Sequence, residues 1–264
     1  MAQRARGTVR FEGHDFPQRI PEPDEVVAGG PAPWAGLALD ARRGLNLDEV
    51  VGRLKRAGRH LDVAPVPGDP IEMAADATRR VVTRRSAVLV ALFEEHGETH
   101  VVLTRRSFAL RSHRGEVALP GGRSDAGETP IETALREAHE EVGLAPAQVE
   151  PVGWLSPIVT FASGSAIWPV IGRLTERPTL KPDSVEVDRV FTVPLADLLV
   201  DGAFVEEHWR RTERRPGADA DGFFPIYFFR VPDDVIWGAT ARVLTELLCV
   251  VVDVDWPDAH RVWG

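Results

Sequence analysis

Residues 120–144 read PGGRSDAGETPIETALREAHEEVGL, and the helix they encode carries its own signals for where to start and stop. Thr129 stands before Pro130 and Glu132 follows Thr129 by three, so a capping box coincides with proline at the first helical position. Gly143 supplies a left-handed stop. Between those ends Ile131, Ala134, Leu135, Ala138 and Val142 recur on one arc at about 100° per residue, the apolar side of an amphipathic helix. Glu137, Glu140 and Glu141 crowd the neighbouring arc, with Arg136 alone to offset them. Carboxylates at that spacing repel by a few tenths of a kcal/mol per pair, and the negative end of the helix dipole disfavours anions by ~0.3–1 kcal/mol. A solvated face usually interleaves more Lys or Arg, although composition alone leaves that reading open. A divalent cation resolves the conflict, because Mg²⁺ takes a few carboxylates and completes its shell with water and substrate phosphate.

Around this helix the chain alternates strands and helices. SAVLVALF and THVVLTRR are β-branched and apolar and flank EEHGE, a hairpin signal centred on Gly97. PVGWLSPI, SAIWPVIGRL, DRVFTVPL and FFPIYFFRV have the character of further strands, RRTERRPGADADG that of a polar loop, and DDVIWGATARVLTELLCVV that of a closing helix. A mixed sheet packed between helices, an α/β architecture, fits this order. Residues 1–80 form an N-terminal extension and residues 81–264 the main domain. Within the extension, residues 1 to about 45 are rich in Pro and Gly and are expected to be an arm with little structure of its own, dispensable for chemistry. The competing expectation is that Trp34 and its neighbours cover the domain or a partner subunit. NLDEVVGRLKRAG predicts one short amphipathic helix, capped by Asn46 and ending near Gly58, before the loop VAPVPGDP.

The 264 residues are 44% hydrophobic and 27% charged with a net charge of −9, which argues against a nucleic-acid backbone as partner. No apolar run reaches the ~18 residues that span a membrane, and no secretory segment follows the first methionine. The single cysteine, Cys249, sits in LLCVVV and forms no internal disulfide, so a reducing, cytoplasmic setting is expected. The sequence leaves the oligomeric state open, a homodimer included.

The spacing Gly122, five residues, Glu128, seven residues, Arg136-Glu137, then Glu140-Glu141-Val142-Gly143-Leu144 resembles the Nudix signature; Ala138, where a bulkier aliphatic residue is usual, is the one departure. The resemblance implies an α/β/α sandwich with a central mixed sheet, and hydrolysis of a nucleoside diphosphate linked to another group. It implies that Glu137, Glu140 and Glu141 hold Mg²⁺ or Mn²⁺ with the backbone of Gly122, that Arg136 orients the glutamates, and that Glu128 supports the loop–helix geometry, with a metal role as its second reading. Glu140 is the first choice for the general base and Glu186 the second.

Upstream, LTRRSFALRSHRGEVALPGG is similar to the additional motif of coenzyme A pyrophosphatases in Leu103, Thr104, Arg106, Ser107, Arg111, Gly115 and Pro120-Gly121-Gly122. It departs at Val102 and Leu119, both still apolar, and VIWGATARVL resembles that family's final helix. The likeness covers roughly residues 84–250. It implies cleavage of CoA or acyl-CoA to 3′,5′-ADP and 4′-phosphopantetheine, with Arg105, Arg106, Arg111, His113 and Arg114 as substrate contacts. Guanidinium forks suit phosphate, although a basic loop can also be mere solubilising charge and His113 a structural hydrogen-bond partner. The alternatives are a Nudix hydrolase of ADP-ribose, NADH or oxidised nucleotides, and a non-catalytic nucleotide-sensing module. The intact set of Arg136, Glu137, Glu140 and Glu141 speaks against the last.

Overall fold

The computed structural model describes residues 18, 20–62, 84–110, 112–160, 165–183, 185–211 and 221–256. The VAPVPGDP loop, most of RRTERRPGADADG and Arg111 lie outside the described residues. The two apolar runs around Gly97 form β2 (Arg84–Glu95) and β3 (Glu98–Arg106), joined by a tight turn at His96 and Gly97. They pair only near that turn, from Leu92↔Val101 to Glu95↔Glu98. Beyond it the strands part. The first half of β2 pairs with β5 (Gly121–Arg123), the far end of β3 pairs with β4 (Val117–Ala118), and residues 117–123 fill the opening. The glycine loop that starts the acidic segment is thereby fixed in the middle of the sheet.

The remaining strands of this eight-stranded sheet are β6 (Val149–Trp154), β7 (Ile158–Thr160), β8 (Ser165–Leu174) and β9 (Val187–Pro194). β2 and β8 run parallel and the other pairs antiparallel, so the sheet is mixed. Period-two alternation makes β2 apolar on both faces. Leu89, Ala91 and Phe93 pack with Ala134, Ala138 and Val142 of α2 (Pro130–Val142). Val90 and Leu92 belong to a second core shared with α1 (Leu47–Arg56), the short α3 (Leu195–Leu198) and α4 (Gly238–Val251). Helices on both faces of a mixed sheet make an α/β/α sandwich. None of the described helices is long and apolar enough to cross a membrane.

A second, antiparallel sheet extends the layer that carries α4. It orders β1 (Glu25–Ala28), β10 (Phe204–Arg210), β11 (Phe223–Val231) and β12 (Asp234–Trp237). Residues 234–237 therefore form a strand rather than the first turn of the closing helix, because Trp237 is extended and Gly238, at φ 63°, breaks the path before the helix begins. Cys249 is buried on α4, and burial pushes its thiol up to about 12, which leaves it inert at neutral pH.

For residues 20–45 the expectation of an arm with little structure is corrected; residues 1–17 lie outside the described residues. β1 adds to β10 from Glu25↔Arg210 to Ala28↔Glu207. Trp34, 1% exposed, stacks on Phe229 at 6.2 Å and meets Phe204 edge-on at 5.4 Å. Buried Arg42 donates to the carbonyls of Ala35, Leu37 and Leu199 and to Asp201. Asn46 caps α1 by accepting from the Glu49 N–H at 2.9 Å, and Leu47, Val50, Val51 and Leu54 face the core. A four-residue strand and one buried indole carry no period, so a Pro/Gly-rich composition hides their packing.

Candidate active site

α2 begins and ends on its own side chains. Thr129 Oγ1 accepts from the Glu132 N–H at 3.3 Å, Glu132 Oε2 accepts from the Thr129 N–H at 2.8 Å, and Gly143 closes the helix at φ 70°. With both termini satisfied, the last turn tolerates the acidic residues on its flank.

Arg136 is the hub of that flank. Its Nε donates to Glu128 Oε1 at 2.7 Å, its Nη1 to Glu137 Oε1 at 2.9 Å and Glu140 Oε2 at 3.0 Å, and its Nη2 to Glu128 Oε2 at 3.0 Å and the Arg123 carbonyl at 2.9 Å. Every hydrogen-bonding edge of the guanidinium is used, a role a lysine ammonium cannot fill. The Glu128 carboxyl is held down at about 2 by Arg136, then by the Asp125 N–H and the Thr133 hydroxyl. Glu128 thus staples the loop to α2 as a permanent anion.

Glu137 and Glu141 have the opposite character. Glu141 is 5% exposed, on the buried side of α2. Desolvation raises its carboxyl to about 7, against the Gly121 N–H donating at 3.0 Å and Arg106 Nη1 at 3.8 Å, with Glu137 and Glu186 pushing it further up. Glu137 is raised first by burial, which outweighs Arg136, and then by Glu140 and Glu186. Gly122 stands against Glu137: a Cβ there would meet the carboxyl carbon at 2.5 Å. Only glycine permits that approach.

The hard oxygen donors of Glu137, Glu140, Glu141 and the Gly122 carbonyl, with more negative charge than Arg136 and Arg106 offset, suit a divalent cation. Among the described residues no three acidic, His or Cys side chains are already drawn into a ligand cluster. Arg136 holds Glu137 and Glu140, while Gly121 and Arg106 hold Glu141.

The basic stretch divides. Arg106 faces Glu141, and its Nε is buried without a hydrogen-bond partner. Arg105, the next residue on the strand, serves a different set of partners: Nε and Nη2 reach Asp188 at 2.8 Å and Nη1 reaches Asp234, itself 1% exposed, at 3.3 Å. The structure thus does not bring Arg105 together with the acidic flank. His113 bonds Glu116 Oε2 at 2.8 Å, which raises its pKa, and Arg114 donates to the Leu110 carbonyl. Both are exposed. Arg111 lies outside the described residues. Glu186 is brought to the site by its own backbone, whose carbonyl accepts from the Ser107 N–H at 2.8 Å.

Sequence reasoning missed Asp183, whose N–H donates to the Glu141 carbonyl at 2.8 Å and ties that residue to the end of α2. An Asp in KPDSVEVD gives no signal for that contact. A cavity of about 1000 Å³ between α1 and the end of α4, lined by Glu49, Arg53, Arg59, Glu246 and Trp256, contains none of the acidic-helix residues.

A mixed sheet thus fixes a glycine loop against a capped helix that bears an arginine-centred set of glutamates. The family model described as the NUDIX domain matches residues 83–214, half of the chain, and the chain belongs to that family. Nudix hydrolase 3 of Caenorhabditis elegans is 42% identical over 185 residues, 66% of this chain and 75% of the relative. Nudix hydrolase 15, mitochondrial, of Arabidopsis thaliana is 34% identical over 212 residues, 78% and 69% of the two chains. A Nudix hydrolase NudL of Klebsiella pneumoniae, itself described as uncharacterized, is 32% identical over 210 residues, 78% of this chain and 95% of the relative. Enzymes of this family act on nucleoside diphosphate derivatives with the help of divalent cations.

Proposed function

We propose that the chain hydrolyses the pyrophosphate bond of coenzyme A or an acyl-CoA to 3′,5′-ADP and 4′-phosphopantetheine or its acyl derivative, with Mg²⁺ or Mn²⁺ held by Glu137, Glu140, Glu141 and the Gly122 carbonyl. The observation that carries this reading is Arg106, a guanidinium with unspent donor capacity 3.8 Å from Glu141, on the stretch that resembles the additional motif of coenzyme A pyrophosphatases. A divalent cation at the glutamates supplies charge neutralisation to the diphosphate and acidifies the attacking water. Arg106 binds a phosphoryl oxygen, Arg136 keeps Glu137 and Glu140 in place, and Glu128 fixes Arg136. Glu140 accepts the proton of the attacking water; Glu186, whose carboxylate stands close enough to raise both Glu137 and Glu141, is the second choice.

The test is release of the adenine nucleotide by the purified chain with Mg²⁺: 3′,5′-ADP from CoA and acyl-CoAs, AMP from dephospho-CoA, ADP-ribose and NADH. CoA should lead, and dephospho-CoA should lose roughly tenfold in kcat/KM, about 1.4 kcal/mol, because a cation placed for the 3′-phosphate is left without its anion. Equal values for the two would remove the basic stretch from CoA recognition.

The arginines should separate in kinetics. Arg106→Ala is expected to raise KM and lower kcat at nearly unchanged melting temperature. Arg105→Ala should instead lower the melting temperature by several degrees, since it leaves the buried Asp234 with Arg189 alone at 3.6 Å. A reversed pattern would exchange the two roles.

A further inference from the structure

Two large apolar side chains stand exposed on the segments that follow Arg106 and precede Glu186, Phe108 at 36% and Val185 at 69%. Scattered exposed hydrophobics need no explanation, but these two sit on segments built around each other. Ser107 donates its N–H to the Glu186 carbonyl at 2.8 Å. That bond continues the antiparallel pairing of β3 with β9 one step beyond Arg106↔Val187. Phe108 and Val185 are the next residues outward on either side of it.

Both segments are tied down close to the reacting groups. Asp183, Val185 and Val187 are fixed by the Asp183 N–H on the Glu141 carbonyl at 2.8 Å, by the Val187 N–H on the Asp183 carbonyl at 2.8 Å, and by the Val185 N–H on Asp183 Oδ1 at 3.0 Å. Phe108 is held as firmly. The Arg105 guanidinium lies over its ring at 5.8 Å from the centroid. Gly115, at φ +65°, lets the ring approach so closely that a Cβ there would lie 2.2 Å from it. A loop rich in Arg, Ser and His thus places a glycine and a cation against one exposed ring, two residues beyond the arginine that faces Glu141.

We propose that Phe108 and Val185 form an apolar lip that receives the nucleobase of the substrate's nucleotide half, with the base stacked on the Phe108 ring. A fixed ring gives up little entropy on binding, and base–aromatic stacking tolerates any base because every base has a π face. A flexible aliphatic arm gains only the non-directional burial of apolar area from such a ring and loses its own freedom in doing so. The lip lies next to Arg106, so a diphosphate bound there leaves its nucleoside within reach. The proposal rests on the functional reading above only as far as the substrate carrying a nucleotide.

Calorimetric titration of the full chain with 3′,5′-ADP, 4′-phosphopantetheine and base-free ribose 5-phosphate tests the lip without requiring cleavage. Phe108→Ala and Phe108→Leu should each weaken 3′,5′-ADP roughly tenfold, Phe108→Trp should keep or improve it, and ribose 5-phosphate should be unmoved. Val200→Ala, an exposed apolar side chain on the turn after α3, is the control and should change none of the three. A 3′,5′-ADP affinity within twofold of the parent in Phe108→Ala overturns the proposal. So does a loss confined to 4′-phosphopantetheine, which would assign the lip to the other arm. If CoA is not cleaved while 3′,5′-ADP binding still falls in Phe108→Ala, the lip stands and the CoA reading fails; cleavage of CoA with unmoved binding gives the converse.

Discussion

Glu141→Gln is expected to lower turnover by two or more orders of magnitude in a protein that melts no lower than the parent. The two halves of that expectation have one cause. Glu141 is a carboxylate in a nearly dry position, with its pKa pushed up to about 7 by desolvation because the Gly121 N–H and Arg106 only partly offset it. An isosteric amide keeps an oxygen for the Gly121 N–H and removes a buried charge whose desolvation is costly, so stability holds or rises. On the proposed metal site the chemistry loses an anionic ligand, and with it charge neutralisation at the diphosphate. Glu137→Gln should lose as much turnover, while Arg136 retains Glu128 and Glu140 as partners. Turnover at saturating Mg²⁺, Mn²⁺ affinity by electron paramagnetic resonance and melting temperature are the measurements. Near-parental turnover in either variant, or unchanged Mn²⁺ affinity in both, would remove these residues from the metal site.

The acidic helix was legible because its information is local. A capping box, Pro130 and Gly143 specify both ends within the segment, and the spacing of Arg136 and the glutamates belongs to one helix face. What the segment could not disclose depends on other strands. The burial of Glu141 is set by Gly121 and β2, and the close approach of Glu137 by a missing Cβ at Gly122. The basic stretch shows the same limit: Arg105 and Arg106 look equivalent in a sequence, yet they serve different partners, one held by Asp188 and Asp234 and the other facing Glu141. β10 was missed because its buried residues include a glutamate. Glu207, 6% exposed, accepts from Trp209 Nε1 at 2.6 Å, so FVEEHWR lacks the apolar alternation by which strands are recognised.

Removal of residues 1–44 should unfold or aggregate the chain, the reverse of what the composition of that segment suggests. Trp34 lies between Phe204 and Phe229, and truncation of a buried tryptophan to alanine costs about 3–5 kcal/mol. At ~2–4 °C per kcal/mol for a domain of this size, Trp34→Ala alone should lower the melting temperature by roughly 6–20 °C. The full deletion adds two further losses. Arg42 leaves the carbonyl of Leu199 and the carboxylate of Asp201 without their donor. β10 loses its partner from Glu207 to Arg210 and becomes an open edge beside uncovered aromatics, a template for aggregation. The glutamates proposed to hold the metal are not in the deleted segment, so Trp34→Ala assayed well below its midpoint should retain turnover within about threefold of the parent, a transition-state difference below ~1 kcal/mol. A chain starting at Leu45 that stays monodisperse, melts within 3 °C of the parent and hydrolyses the same substrate at the same rate would show that these contacts contribute nothing the domain needs. Loss of turnover in a Trp34→Ala protein that is still fully folded would instead mean that the tryptophan helps shape the site across the sheet.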